Sequence, residues 1–526
     1  MRVGIISVFT DYHRRGRHHR GALQPQIGPL IAALLPHDAQ LDIVNDAWDD
    51  PHWDRDYDLL FVSCLHSDFD RARQISHYWR RRGAKTVLGG PMASQFPQLC
   101  APYFDSIAIG DPEPVVPAIV RDFGANALRP LYRAQAYRGD TVPLPRLDLV
   151  ADRQLLPFSF EVTRGCPYAC DFCVLTGLGT RYHTRSVEAV AAQLESAKRM
   201  LAPLAPWHRR RLTIFYDNNL GGNPTYLREL CAAIEPLDLR WGCCVTFNVV
   251  RDEATVARMA AAGCCCVYVG IETFNPAALA DMRKHQNVLA ETRRVVDLCR
   301  RHGILLTAGL MLSPRHDPTD YIDAIPAYLK AAGIHVPTYI CFETPFPGTP
   351  HFARLAASHP APLMPGTLLS DLDGYTVATR PRYASPTAFV EAYKRVHREV
   401  YGWPNRIAKL ADDLPRLAIA RSPGAIVVDC AEVLFDAQPL PADRSFLAGA
   451  DKVRPEHVPL TAADFADEAE RAVIMDSWAV ADEEGRPLSQ WLGSRRVYEA
   501  KGRVAPVAAS EPLVPRATHN VAAAAG

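Results

Sequence analysis

The chain has 526 residues, 48% of them hydrophobic and 22% charged, with 58 Lys and Arg against 58 Asp and Glu. That length exceeds one ordinary core and predicts roughly two or three globular domains. Zero formal net charge excludes a whole-chain pull towards nucleic acid or an anionic membrane, no stretch approaches the ~18 apolar residues of a membrane helix, and Met1–Phe9 lacks the length and small-residue cleavage site of a secretion signal.

Residues 1 to about 123 alternate strand-like and helix-like segments. Val3–Phe9, Leu41–Asn45, Leu59–Ser63, Lys85–Leu88 and Ser106–Ile109 are the expected strands, with helices over Pro25–Leu35 and the amphipathic Phe69–Arg82. Short strands separated by helices predict a doubly wound parallel sheet covered on both faces. Such a sheet presents its ligand loops at the strands' C-terminal ends. Gly89-Gly90-Pro91 and Gly110 fall there, although a Gly-Gly pair is equally the mark of a plain turn. The first strand runs into Asp11-Tyr-His13-Arg-Arg-Gly16, which by its charge reads as a solvated basic loop. Residues 124 to about 157 show little periodicity and are expected to be a linker.

After the apolar run Phe158–Thr163 comes Cys166-Pro-Tyr-Ala-Cys170-Asp-Phe172-Cys173. Arg164-Gly165 and Pro167 force a loop there. Three thiolates on one short loop suit three irons of a 4Fe–4S cluster, leaving the fourth iron open to a small molecule. A structural zinc site or three unrelated thiols are the alternatives. Zinc would want a fourth protein ligand, and none is obviously spaced for it. The 14 cysteines are too sparse for a disulfide scaffold, and an oxygen-sensitive cluster requires a reducing compartment, so a cytoplasmic location is expected.

From Phe158 to about residue 355 the pattern repeats as strand–helix units. Further strands are expected over Leu212–Tyr216, Arg240–Phe247, Cys265–Ile271, Leu305–Leu312 and Thr338–Phe342. Helices between them are expected over Val187–Met200, Pro224–Ile234, Glu253–Ala262, Leu289–His302 and Thr319–Ala332. In such a barrel the chemistry sits at the C-terminal strand ends. Asp217, Asn218 and Asn219 follow the second strand and Glu272 ends the fourth. Polar groups there suit an amine and a carboxylate, and capping of the following helix is the alternative for Asp217 and Glu272. Cys243-Cys244 and Cys264-Cys265-Cys266 alternate across strands, so they are expected to pack as small hydrophobes rather than as a second cluster. Residues 356 to about 430 are expected to be helical, with Thr387–Tyr401 as a cap over the barrel mouth. Residues 431–526 are expected to have low order, with at most small pieces packing around Phe446, Trp478 and Trp491.

The cysteine loop, with aromatic Phe172 before its third cysteine, resembles the radical S-adenosylmethionine (SAM) superfamily. Gly270-Ile-Glu272-Thr and Thr344-Pro-Phe-Pro-Gly-Thr-Pro350 resemble that family's later strand ends, whereas Pro314-Arg-His-Asp317 departs from its usual turn. A doubly wound sheet ahead of such a barrel is similar to the cobalamin-dependent branch. Leu88–Pro97 resembles that branch's loop after a central strand, which borders the corrin, and Ile109–Glu113 resembles its next strand end, with Met92 where His is common and Asp111-Pro112 interrupting an acidic pair. The resemblance implies a Rossmann-like N-terminal domain, a partial (β/α)6 barrel and a helical C-terminal region. It also implies Cys166, Cys170 and Cys173 on the cluster, and Phe172, Asp217–Asn219 and Glu272 around SAM. Gly89, Gly90, Gly110 and, by a methionine-synthase-like motif, His13 would lie around cobalamin. The implied activity is SAM cleavage to a 5′-deoxyadenosyl radical and methyl transfer to an unactivated carbon of a small-molecule substrate. An external donor such as flavodoxin or ferredoxin would reduce the cluster, and neither nucleic acid nor membrane would be a partner. Cyclisation, ring contraction or rearrangement without methyl transfer is the alternative within enzymes; a non-catalytic cobalamin- or cluster-binding protein is the alternative outside them.

Overall fold

A computed structural model describes residues 1–10, 25–47, 49–134, 139–152, 158–204, 211–413, 446–449 and 458–492. The N-terminal unit is built on β1 (Arg2–Ser7), β2 (Gln40–Asn45), β3 (Leu59–Ser63), β4 (Lys85–Gly89), β5 (Ser106–Ile109) and β6 (Leu131–Arg133). All pair in parallel, in the order β2-β1-β3-β4-β5-β6. The order reverses between β1 and β3, and open sheets of this kind bind ligands in the crevice beyond such a switch point. The inner residues of β1, β3 and β4 are mostly apolar and buried on both faces, as a parallel sheet covered by helices requires. The stretch expected to be a linker supplies the edge strand β6, whose Tyr132 is buried against the sheet.

The second unit contains β7 (Ser159–Phe160), β8 (Thr163–Arg164), β9 (His183–Thr184), β10 (Leu212–Phe215), β11 (Arg240–Val245), β12 (Cys264–Glu272), β13 (Leu305–Leu312) and β14 (Tyr339–Phe342). Six of these form one parallel sheet in the order β14-β13-β12-β11-β10-β7, the partial barrel that the repeated units predict. The expected strand Phe158–Thr163 is shorter than its apolar run. It leaves the sheet after Phe160 because the Asp217 carboxylate takes the Val162 and Thr163 amides, and Thr163–Arg164 then pair antiparallel with His183–Thr184. Cys243 in β11 and Cys264 in β12 are buried while Cys244 and Cys265 beside them are half-buried, as alternation across a strand requires.

One expectation for the C-terminal part is corrected. Helix Pro386–Val400 does not cover the mouth. It lies beside helix Thr319–Ala332 with Phe389 and Tyr393 against Phe342, and the Tyr393 hydroxyl donates to the Ile340 carbonyl at 3.3 Å. It closes the flank of the last strand. The described residues beyond 445 pack as two short pieces, 446–449 and 458–492. Phe446 and Trp491 are fully buried, and helix Glu468–Met475 docks on helix Phe69–Arg80. Arg73, with no exposure, lies between the Phe69, Tyr103 and Trp478 rings and donates to the Val473 and Asp476 carbonyls. A buried guanidinium needs such partners in full, which explains why this tail segment sits where it does.

Candidate active site

Gly165 makes the turn into the cysteine loop in the left-handed region (φ +76°), and a Cβ there would lie 2.2 Å from the Arg181 carbonyl oxygen. Gly165→Ala is therefore expected to distort the loop, at a cost of at least about 1–3 kcal/mol, and to lower the iron retained after cluster reconstitution. Wild-type iron in that variant would refute the assignment of the turn.

Cys166, Cys170 and Cys173 sit at the C-terminal end of the barrel sheet. Burial pushes the Cys173 thiol up to about 11 and also raises Cys170; the Leu175 and Thr176 amides pull against the first shift, the Lys284 ammonium and Gln286 amide against the second. Asn219 Nδ2 lies 3.6 Å from Cys166 Sγ, and Gln286 Nε2 the same distance from Cys170 Sγ. Amide donors aimed at three sulfurs fit thiolates bound to iron, because they stabilise negative charge on sulfur. Phe172 packs with Ala278, Met282 and Met311 and has Lys284 Nζ 5.8 Å from its ring centre.

Glu272 is buried and ion-paired with Lys284, and its backbone is left-handed (φ +69°) at an irregularity in the β12–β13 pairing. Asn287 holds this strand end by donating to the Gly270 and Ile271 carbonyls at 2.9 Å. A Cβ on Gly270 would fall 2.1 Å from Glu272 Oε1, so the glycine makes room for the ion pair. Asp217, by contrast, points away from the loop. Its carboxylate accepts from the Val162 amide (3.2 Å), the Thr163 amide and the Thr163 hydroxyl (2.5 Å), and burial raises it to about 7. It neither caps the next helix nor faces the thiols. Asn218 is exposed, and only Asn219 of that trio reaches the sulfurs.

At the first sheet's C-terminal edge, Gly90 is left-handed (φ +93°) with the Cys64 carbonyl 2.9 Å from where its Cβ would be, so β4's loop lies against the end of β3. Gly89 has open space around it, and Gly110 (φ +87°) is exposed. His13 lies outside the described residues. The two sheets' C-terminal ends meet. Arg164, directly before the cysteine loop, pairs with Asp111 (2.9 Å) and Glu113 (2.6 Å) of the first unit and with Glu161 (2.7 Å). At the loop's other end, a Cβ on Gly177 would lie 2.6 Å from the Gly348 carbonyl and 2.7 Å from Gln95 Nε2, so the sixth-strand loop and the helix after Gly90 close on it together. Arg164, Lys284 and Gln286 escaped the sequence reading. Only Arg164, beside Gly165-Cys166, carried a local signal.

An open parallel sheet set edge to edge with a partial barrel, and a three-thiol loop between them, define an α/β cofactor enzyme. Residues 160–325 match the family model described as Radical SAM superfamily. The chain thus carries a radical SAM domain and is an enzyme of that kind, for which a 4Fe–4S cluster and SAM are the implied cofactors. It is 25% identical over 390 residues to bacteriochlorophyllide d C-8(2)-methyltransferase of Chlorobaculum tepidum, covering 71% of this chain and 84% of the relative. It is 25% identical over 350 residues to hopanoid C-2 methylase of Rhodopseudomonas palustris, covering 63% and 64%. In fold it is similar to TsrM, a radical SAM methyltransferase from Kitasatospora setae whose structure contains cobalamin and a 4Fe–4S cluster (TM-score 0.52, 18% identity, 74% of this chain and 84% of that one). Among the described residues no helix is long and apolar enough to cross a membrane.

Proposed function

We propose that this chain methylates an unactivated carbon of a small-molecule substrate, with cobalamin on the N-terminal sheet and SAM at the cluster. The observation that carries the reading is the meeting of the two sheet ends at Arg164 and Gly177, which sets the C-terminal edge of the first sheet, where such sheets bind ligands, beside the cysteine loop. The activities for which the relatives are named, methylation of a bacteriochlorophyllide and of a hopanoid, support the same chemistry. When bound, the cluster and SAM supply the 5′-deoxyadenosyl radical, and cobalamin supplies a methyl carrier. The chain's own part is to hold, orient and enclose. Cys166, Cys170 and Cys173 bind iron while Asn219 and Gln286 hydrogen-bond the sulfurs. The Lys284 ammonium and Glu272 carboxylate are placed to meet the carboxylate and amine of SAM, and Phe172 with Met282 and Met311 forms an apolar wall that excludes water. Gly89, Gly90 and Gly110 lie at the sheet edge that would hold the cobalamin. An external one-electron donor such as flavodoxin or ferredoxin, and a cytoplasmic location, complete the reading.

Anaerobic purification with cobalamin supplied should give one cobalt along with about four irons per chain. Label from methyl-labelled SAM should then appear in the product. A chain that fills with iron yet takes up no cobalt would defeat the methyl-transfer reading. In the cobalamin-loaded protein, the visible spectrum of His13→Ala compared with wild type tells whether His13 ligates cobalt.

A further inference from the structure

Behind the cysteine loop lies a second group of potential ligands that neither the cluster nor SAM requires. His351 is the second residue of helix Pro350–Ala356, and its backbone amide donates to the Asp171 carbonyl at 3.0 Å, one residue from Cys170. Its side chain is 1% exposed, and neither ring nitrogen has a hydrogen-bond partner among the described residues. Buried imidazoles are ordinarily satisfied, so this one requires an explanation. The nearest group to Nδ1 is Glu343 Oε1 at 3.5 Å. That is too long for a hydrogen bond but close to the ~3.3 Å separating two tetrahedral ligands whose bonds to one ion are ~2.0 Å. Glu343, also buried, follows β14, and its other oxygen accepts from the Ser313 hydroxyl at 2.6 Å, which fixes the carboxylate.

Asp281, ending helix Pro276–Asp281, completes the group. One atom each from Asp281, Glu343 and His351 lie within 4.8 Å of one another. Asp281 Oδ2 also has His316 Nε2 at 3.2 Å and Arg354 at 3.4 Å. The Asp281 side chain is 28% exposed and that of His316 20%, which leaves an ion a way in from solvent. Arg354 is the competing cation: it ion-pairs with Asp171 and donates to the Asp281 backbone carbonyl at 3.3 Å, while its 3.4 Å approach to Asp281 Oδ2 is beyond ordinary hydrogen-bond length.

We propose that His351, Glu343 and Asp281 form a second metal site, which takes one divalent cation such as zinc or manganese. One imidazole with two carboxylates is a donor set suited to those ions and poor for an iron–sulfur cluster. The ion would sit at the start of helix Pro350–Ala356, whose amide already holds the Asp171 carbonyl, and would so brace the cysteine loop from behind. The site needs only the barrel and is independent of cobalamin.

The test uses the full chain with its cluster filled first, so that the loop thiols are occupied, and then equilibrium dialysis against zinc. One zinc per chain is expected in addition to about four irons. His351→Ala and Glu343→Gln should each weaken that zinc by more than about tenfold, the least that loss of even a ligand's supporting partner costs, with iron unchanged. Glu343→Gln preserves shape and serves if His351→Ala fails to fold. Absence of zinc at micromolar concentration would overturn the proposal. So would zinc insensitive to both substitutions, or zinc that rises only as iron falls, which would be sitting on the thiols.

Discussion

Replacing Cys166, Cys170 or Cys173 singly with alanine is expected to reduce 5′-deoxyadenosine formation, in the presence of dithionite and SAM, to the level of a no-enzyme control. Three thiolates already fall one short of the usual four ligands. Asn219 and Gln286, which reach the sulfurs, can donate hydrogen bonds but offer no soft ligand to replace a lost one. Iron should drop from about four per chain towards background in each variant. A companion expectation follows from burial, which holds the metal-free thiols protonated at neutral pH, Cys173 at about 11 and Cys170 raised in the same direction. Iron binding must then release protons, so cluster loading should improve as pH rises from neutral. A single alanine variant with full iron and wild-type yield would sink the assignment, and tight zinc without iron–sulfur absorbance in the wild type would sink it equally.

Arg164→Ala is the second substitution with a large expected effect. The guanidinium is 11% exposed and faces Glu113 (4%), Glu161 (20%) and Asp111 (31%). Its removal leaves three carboxylates together without a counter-charge, and breaking a buried pair from one side costs about 3–5 kcal/mol. Because the partners belong to different units, the loss falls on the joint as well as on the barrel. The thermal midpoint should drop by several degrees (~3 kcal/mol spread over a large chain), proteolysis near residues 139–152 should quicken, and cluster retention should fall. Arg164→Lys, which keeps charge but loses the fork that grips Glu113 through both oxygens, should recover only part of this. An Arg164→Ala protein with unchanged midpoint, proteolysis and iron would show that the joint is held elsewhere.

The sequence alone was enough for whatever depends on local pattern. The bounds of Leu59–Ser63, Ser106–Ile109, Leu305–Leu312, Pro224–Ile234 and Thr319–Ala332 match their hydrophobic periodicity, because burial of one face or two repeats with the period of the element. The three cysteines were legible for a similar reason: their grouping lies within eight residues of chain, and ligand type with spacing is already chemistry. Tertiary structure decided everything that turns on which distant polar group meets which. Asp217 follows the second barrel strand as the pattern requires, yet it is consumed by amides some 55 residues earlier, and no periodicity states that. Glu272 pairs with Lys284, Arg164 with the far side of a domain boundary, and His351 faces Glu343, each through folding rather than neighbourhood. Segment 458–492 carries only widely spaced large apolar anchors, Trp478 and Trp491. It packs because the buried Arg73 needs its Val473 and Asp476 carbonyls and the face of Trp478, a demand placed 400 residues away. Apolar burial is written into a sequence one element at a time, whereas satisfaction of a buried charge is a property of the assembled chain.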